Sequence, residues 1–358
     1  GEAFAAYRAG TWDPEAPKTA PDAPSKDTAV IAYVRAWVRR QTYESAPREA
    51  LELERYLPSW VESRLPIFAL EAKHGLSLIR HLRAIPSGRG GMLSPSTVRN
   101  VFSVAQRALR DAAVEGLIPA NPWAGLHGYL PKLRDKVPGA RKLWRWTQRE
   151  LELLTSSPLV PWVRRVRYAL ETWTGARFGE VSVLRWSDWE EDVEPLGRLT
   201  VGRALKSVSR LEGETKTGVT KLVPVHPVLR EALSGWFHAG WREVFGRDPR
   251  PLDLIVPTAS GRPMLPSQGR RDLERDCAKL EIPFRRQHGF RHAFVHAVRD
   301  QGLRTELVRW VTHAPPTSAW DGYGGPPWAA LCGEIARLEL VGQSSGAPGF
   351  GETSGDDP

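Results

Sequence analysis

The 358-residue chain is predicted to be mainly α-helical and built as two domains, the first all helical and the second α+β with a small antiparallel sheet. Three observations predict this. From about residue 28, apolar residues recur at i, i+3 and i+4, and no strand-like alternation occurs before residue 130. Period-2 alternation is confined to 199–225, inside a region that is otherwise helical. Between the two regions, at 131–146, the chain turns strongly basic, as a linker would. A chain of this length can bury two cores, and fifteen Trp residues with 41% hydrophobic residues supply the material.

Taken in order, residues 1–27 carry Pro14, Pro17, Pro21 and Pro24 with a small acidic excess, which predicts an irregular lead-in with at most a short helix at 4–7. Val30, Tyr33, Val34 and Val38 mark a first helix, and Leu51, Leu53, Tyr56 and Leu57 a second, closed by Pro58. Shorter helices are expected at 67–70 and 76–82. Ser94-Pro95 joins a cap residue to proline at the first helical position and opens a long helix that runs to Gly116. Its Arg99, Arg107 and Arg110 point away from the apolar stripe and are candidates for contact with a polyanion. These elements make 28–130 the first domain. In the boundary, Lys132, Arg134, Lys136, Arg141, Lys142, Arg145 and Arg149 face only Asp135 and Glu150, so the linker is suited to lie along a phosphate backbone. Thr147 to Glu150 has capping-box spacing and starts the second domain, 147–340. Helices are expected there at 163–173, 177–186, 228–237, 273–280, 290–301, 305–311 and 331–340, with strands at 199–205, 207–212 and 220–225. The Gly, Ser, Pro and Asp-rich segment 341–358 reads as a disordered tail.

Composition narrows the function. A net charge of +9 favours a polyanionic partner, nucleic acid first. Two cysteines, Cys277 and Cys332, offer no disulfide framework and suit a reducing cytosol. No run approaches 18 apolar residues, so no membrane partner is expected. The chain begins at Gly1 rather than Met, so an upstream segment is expected to have been removed or replaced.

The residues suited to chemistry are dispersed. Arg177, in Thr174-Gly175-Ala176-Arg177-Phe178-Gly179-Glu180, offers planar donors that match phosphate oxygens, and Glu180 at i+3 could brace it. Lys216, at a probable hairpin tip in Thr215-Lys216-Thr217-Gly218, could deliver a proton, with Lys206 and Lys221 as nearby competitors. His288 and Arg291 lie three residues apart at a helix start. His288, His292 and His296 also have the spacing of metal ligands. However, Ala293 stands where a metalloprotease helix has Glu, and Arg285, Arg286 and Arg291 oppose a cation, so no metal is expected. His313 follows, and then Tyr323, set between glycines and isolated from the other tyrosines, as a nucleophile for phosphorus.

In this order the motifs resemble the tyrosine recombinase, or phage integrase, family. Leu184-Arg185-Trp186-Ser187-Asp188, Leu222-Val223-Pro224-Val225 and His288-Gly289-Phe290-Arg291-His292 belong to the same likeness, which spans roughly 28–335. Thr312 stands where the family usually has glycine before its second histidine. The resemblance implies the DNA breaking-rejoining enzyme fold behind a helical core-binding domain. It implies that Arg177 and Arg291 hold the scissile phosphate, and that Tyr323 attacks it to form a 3′-phosphotyrosine. Lys216 would protonate the leaving 5′-oxygen, His288 would move the tyrosine proton, His313 would hydrogen-bond the phosphate, and Glu180 would support the set. No cofactor is implied. The partners implied are double-stranded DNA attachment sites, bound by a homotetramer in which a C-terminal helix passes to a neighbour, with an accessory DNA-bending protein in some systems. The expected setting is the cytoplasm of a bacterial host. The alternatives are a type IB topoisomerase, a DNA-binding protein whose centre is unused, and a metal-dependent nuclease.

Overall fold

The computed structural model describes residues 24–88, 90–133, 145–206, 209–312, 325 and 327–341. Most of the expected lead-in (1–23), of the linker (134–144) and of the tail (342–358) lies outside these residues. The chain divides into two compact units at about position 136, and each is described by itself.

The first unit is helical: α1 (Val30–Arg39), α2 (Ala46–Tyr56), α3 (Ala72–Ala84) and α4 (Pro95–Val114). The start of α4 is as the sequence predicts: the Ser94 hydroxyl accepts from the Thr97 N–H at 3.2 Å, and Pro95 fills the first turn. Its end is set by Gly116, whose φ of +74° suits a residue without Cβ. Tyr33, Val34, Leu53, Leu78, Phe102 and Trp123 are buried together, and the rings of Phe102 and Trp123 stack 5.5 Å apart. Among the described residues of this unit only isolated β-bridges occur.

The second unit contains α5 (Gln148–Ser156), α6 (Trp162–Thr174), α7 (Phe178–Val181), β1 (Trp189–Glu190), β2 (Arg198–Val201), β3 (Arg203–Leu205), β4 (Glu212–Glu214), β5 (Lys221–Pro224) and α8 (Pro227–Gly235). One π-helical turn at Trp236–Gly240 leads to α9 (Trp241–Phe245), followed by α10 (Pro266–Lys279), α11 (Gly289–Asp300), α12 (Thr305–Thr312) and α13 (Trp328–Ala336). Mainly helical with small antiparallel sheets, this is the fold class the sequence predicts. The capping box forms: Thr147 and Glu150 exchange side-chain to backbone hydrogen bonds of 2.8 and 3.3 Å. Helix α6 runs through the core, which gathers Tyr168, Leu170, Trp173, Phe290 and Phe294. Phe290 stacks on Tyr168 at 5.5 Å and on Trp146 at 5.1 Å, tying α11 to α6.

Three expectations need correction. Helix α7 stops at Val181, not 186. Beyond it Trp186 N–H bonds the Asp253 carbonyl and Asp188 takes the Arg185 N–H at 2.8 Å, so neighbouring strand-like backbone competes with the helix. The strand expected at 207–212 is β4 at Glu212–Glu214. Lys206 N–H donates to the Leu211 carbonyl, and Arg210 lies in the left-handed region at φ 59°. The alternating run 199–205 is two strands in two sheets: β1-β2-β5, with Leu199 opposite Val223, and β3-β4, with Leu205 opposite Glu212.

Candidate active site

Helix α6 ends on Gly175, with φ +58°, and the turn that follows starts α7 at Arg177. The turn is close-packed. A Cβ on Gly175 would come within 2.8 Å of the Phe294 ring and 3.1 Å of the Thr312 methyl. Glu180 is buried at 1% exposure and faces back to Arg177. One carboxylate oxygen accepts the Arg177 N–H at 2.8 Å, and the other accepts its guanidinium at 2.9 Å. The i+3 brace anticipated in the sequence is thus formed, and the guanidinium, 32% exposed, still reaches solvent.

Arg291, near the start of α11, is buried and held by two carbonyls: Nη1 donates to Gly175 at 2.8 Å and Nη2 to Thr312. Among the described residues these bonds leave three of its five N–H donors unused. Burial pushes its pKa down to about 10, the charge of Arg177 pushes the same way, and Glu180 opposes both, so Arg291 remains a cation at neutral pH. The charge of Arg177 thus acts on Arg291 although 114 positions separate them in sequence. His288 precedes α11 and keeps an exposed face. Partial desolvation lowers its pKa below the usual histidine value, and His292, Arg291 and Arg177 lower it further, so the imidazole is neutral at pH 7. Its ring meets that of His292 edge to face at 4.8 Å. The turn bearing it is anchored by Arg285, which donates at 2.8 and 2.7 Å to Glu150 at the start of α5.

The structure adds a cation that the sequence offered only as a competitor. Lys221, on β5, is 4% exposed and its Nζ donates to Glu180 Oε1 at 2.8 Å. Burial lowers its pKa, Glu180 raises it, and Arg291 and Arg177 lower it again, which places Lys221 among the same charges. The signal was in the strand: Lys221 shares the inward phase with Val223 and Val225, whereas Leu222 points out. Lys216 stands exposed in the turn after β4, and the Thr215 hydroxyl beside it holds the Val219 carbonyl at 3.0 Å. Strands β4 and β5 lie in different sheets, so the turn that bears Lys216 is not the hairpin tip expected; β4 is held where Arg185 forks onto Glu212 at 2.7 and 2.8 Å, and β3 where Arg203 forks onto Asp188.

His313 and Tyr323 lie outside the described residues, as do Lys136, Arg141 and Lys142. Of the three polyanion-contact candidates in the first unit, Arg110 pairs with its neighbour Asp111 at 3.0 Å, and Arg107 pairs with Glu49 at 2.6 Å and lies over the Trp37 and Tyr43 rings. Arg99 is half-buried and donates to the Pro131 carbonyl at 3.1 Å. Among the described residues no group of three or more His, Cys, Asp and Glu is arranged to hold a metal, and no helix is long and apolar enough to cross a membrane.

Comparison with known proteins follows the same lines. No protein-family profile matches the chain. It is 28% identical over 262 residues to an integrase of Mycobacterium phage D29, covering 70% of this chain and 64% of that protein. It is 27% identical over 257 residues to the integrase of Mycobacterium phage FRAT1, covering 70% and 72%. The chain therefore matches just under two thirds of the length of the D29 protein. Among solved structures, the fold is similar to that of the Tn1549 transposon integrase bound to a circular-intermediate DNA, with TM-score 0.61, 15% identity, and 87% and 100% of the two chains covered. It is also similar to a lambda integrase dimer bound to a core site, with TM-score 0.57, 15% identity and coverage of 83% and 95%. A lambda integrase tetramer on a Holliday junction matches at TM-score 0.55 with 17% identity, covering 88% and 87%. The resemblance read from the motifs is thus borne out by relatives named integrase and by the fold of tyrosine recombinases.

Proposed function

We propose that this chain, a relative of phage integrases with the tyrosine recombinase fold, is a site-specific DNA recombinase that cuts and rejoins strands through a 3′-phosphotyrosine. The observation that carries the reading is the convergence of Arg177, Arg291 and His288, with Glu180 and Lys221 bracing them. Two guanidiniums near enough for the charge of Arg177 to act on Arg291 suit one dianionic transition state: each supplies planar donors to non-bridging oxygens as negative charge grows there. The charge of Arg177 disfavours the cation at Arg291, and an anionic phosphate between them offsets this, so the site favours an anion.

In the proposed cycle Tyr323 attacks phosphorus, and the P–O bond to the 5′-oxygen breaks. Neutral His288 accepts the phenol proton. Lys216 gives a proton to the departing 5′-oxygen, and His313 hydrogen-bonds the phosphate. The phosphodiester energy is kept in the tyrosyl ester, so a 5′-hydroxyl rejoins the strand by the reverse displacement without a nucleotide cofactor. The arginines and the lysine supply the charge that Mg²⁺ supplies in other phosphoryl-transfer enzymes, so the reaction needs no metal. Lys221 is assigned a bracing role, because its ammonium is committed to Glu180. The tyrosines buried elsewhere suit the choice of Tyr323: Tyr33, Tyr43 and Tyr168 donate to Glu115, Glu49 and Asp276, and burial beside these carboxylates raises all three pKa values.

The lambda enzyme assembles as a tetramer on a four-way junction, and the same assembly on double-stranded attachment sites is proposed here, with Lys136, Arg141 and Lys142 on the phosphate backbone. The test is incubation with a nicked duplex carrying the attachment site found beside the gene, followed by a denaturing gel. A covalent protein–DNA band, resistant to EDTA and absent in Tyr323→Phe, is expected. EDTA-sensitive cleavage that releases free ends would overturn the reading in favour of a nuclease. Relaxation of any supercoiled DNA without strand exchange would favour a topoisomerase.

A further inference from the structure

Under the turn that presents His288 lies an ionic pair that the proposed reaction does not use. Arg167 and Glu171, one turn apart on α6, are each 1% exposed, with Arg167 Nε 3.7 Å from Glu171 Oε1. Such a pair is a poor device for stability alone, because two apolar side chains of similar size would serve a buried helix face as well or better. What the pair touches is more informative. Glu171 Oε1 accepts from Gln287 Nε2 at 2.9 Å, and Gln287 is the residue before His288. The Arg167 guanidinium lies over the rings of Tyr168, at 4.6 Å, and Phe178, at 5.8 Å, and Phe178 is the residue after Arg177. One buried pair therefore reaches both segments of the candidate site.

We propose that Glu171 is a positioning residue for His288: its carboxylate, through Gln287, holds the turn that presents the imidazole, and protonation of that carboxylate loosens the turn. The role given to His288 rests on the recombinase reading, whereas the coupling between the two groups does not.

Burial pushes the Glu171 carboxyl up to about 7, with Arg167 and the hydrogen bond from Gln287 opposing it. Among the described residues, the groups acting on it are Arg167 from α6 and Gln287 from the turn before α11. On α10, Asp276 is taken by Arg164 at 2.8 Å and by Tyr168 at 2.7 Å, and Asp272 by Arg275. Beyond Gln287 stand His288, His292, Arg291 and Arg177. The sign follows from the raised value. Below about pH 7 the acid is neutral, a weaker acceptor for Gln287 that leaves Arg167 uncompensated. Above it the carboxylate forms and the turn tightens. This lies above the titration of His288 itself, which is displaced below the usual histidine range.

The test uses the full chain labelled at histidine Cε1, with the His288 signal assigned by His288→Gln. In the parent, the His288 resonance is expected to show its own inflection and a second one near pH 7. Glu171→Gln removes the second inflection, and Gln287→Ala removes it as well, although Glu171 still titrates there. Should Glu171→Gln fold poorly in a thermal melt, Gln287→Ala, at a half-buried position, carries the test alone. A parent with no inflection near pH 7, or variants that keep it, would overturn the proposal. Single-turnover adduct formation on the nicked duplex supplies the second readout. At pH 8, Glu171→Gln is expected to be about tenfold slower, and adding Gln287→Ala to cost nothing further. Additive losses would refute the relay. If the parent forms no adduct at any pH, the recombinase reading fails, and the histidine titration still decides the coupling.

Discussion

Removing the Glu180 carboxylate is the most consequential single change the structure offers. Three donors converge on it: the Arg177 N–H at 2.8 Å, the Arg177 guanidinium at 2.9 Å and the Lys221 ammonium at 2.8 Å. In Glu180→Ala the Lys221 ammonium, 4% exposed, is left buried without its counter-charge. Breaking a buried pair by removing one partner costs about 3–5 kcal/mol. For a unit of this size that is a fall in Tm of roughly 6–20 °C. The second prediction of this change concerns coupling: once Glu180 is gone, Lys221→Met should recover part of the loss, because it deletes the stranded charge. The acid dependence has a definite sign. Burial alone would raise the Glu180 pKa, but Lys221 and then Arg177 hold it below the ordinary value. The contribution is therefore fully present above the unfolded value near 4.5 and disappears as pH falls through the lower folded one. The assay is thermal unfolding of the four members of the cycle at pH 7.5 and at low pH. Unchanged Tm in Glu180→Ala, or Lys221→Met adding its full cost on top, would refute the claim that this pair braces the site.

Other outcomes follow from the same geometry. Gly175→Ala forces a left-handed backbone on a residue with Cβ and drives that atom into Phe294, so a loss of at least about 1–2 kcal/mol is expected, together with weakened cleavage as the Arg291 anchor shifts. Lys216→Ala and Lys221→Met should part company: the exposed turn lysine should leave stability within about 0.5 kcal/mol of the parent yet slow cleavage, whereas the buried strand lysine should lower both. As pH drops, adduct formation should fall first through about 7, where Glu171 takes up a proton, and again through the lowered His288 value; Glu171→Gln should remove the first step and His288→Gln the second. Protonation of His288 in the fold is disfavoured, so its contribution to stability is lost over the same acid range.

Much of the fold was legible wherever a local signal and the tertiary structure agree. Ser94-Pro95 and Thr147 to Glu150 start helices where their side chains predict, since each cap satisfies N–H groups of its own first turn. Arg177, Glu180, His288 and Arg291 were found because the ordered motifs carry them, although nothing local shows that they meet. The errors fall where distant backbone competes. The 177–186 segment has helical periodicity to its end, but Asp253 and Leu254 draw 185–187 into extended pairing. Lys221 and Glu171 were underrated for one reason: a charged residue in an apolar phase reads as an exposed interruption until its buried partner is known. Lys221 shares its phase with Val223, and Glu171 shares a face with Arg167, so both signals were present but needed Glu180 and Gln287 to be interpreted.

The central claim is that Tyr323 becomes bonded to the phosphorus that Arg177 and Arg291 are proposed to hold. Trapping the adduct on a nicked duplex, digesting it with trypsin and mapping the cross-linked peptide by mass spectrometry tests this directly. Cleavage after Arg309 and Arg337 releases a peptide in which Tyr323 is the sole tyrosine, so the assignment is unambiguous. The expected result is a 3′-phosphoryl nucleotide on Tyr323 in the parent, and none in Arg177→Ala or Arg291→Ala. A nucleotide on Tyr129 or any other tyrosine, or a 5′-phosphoryl linkage, would contradict it.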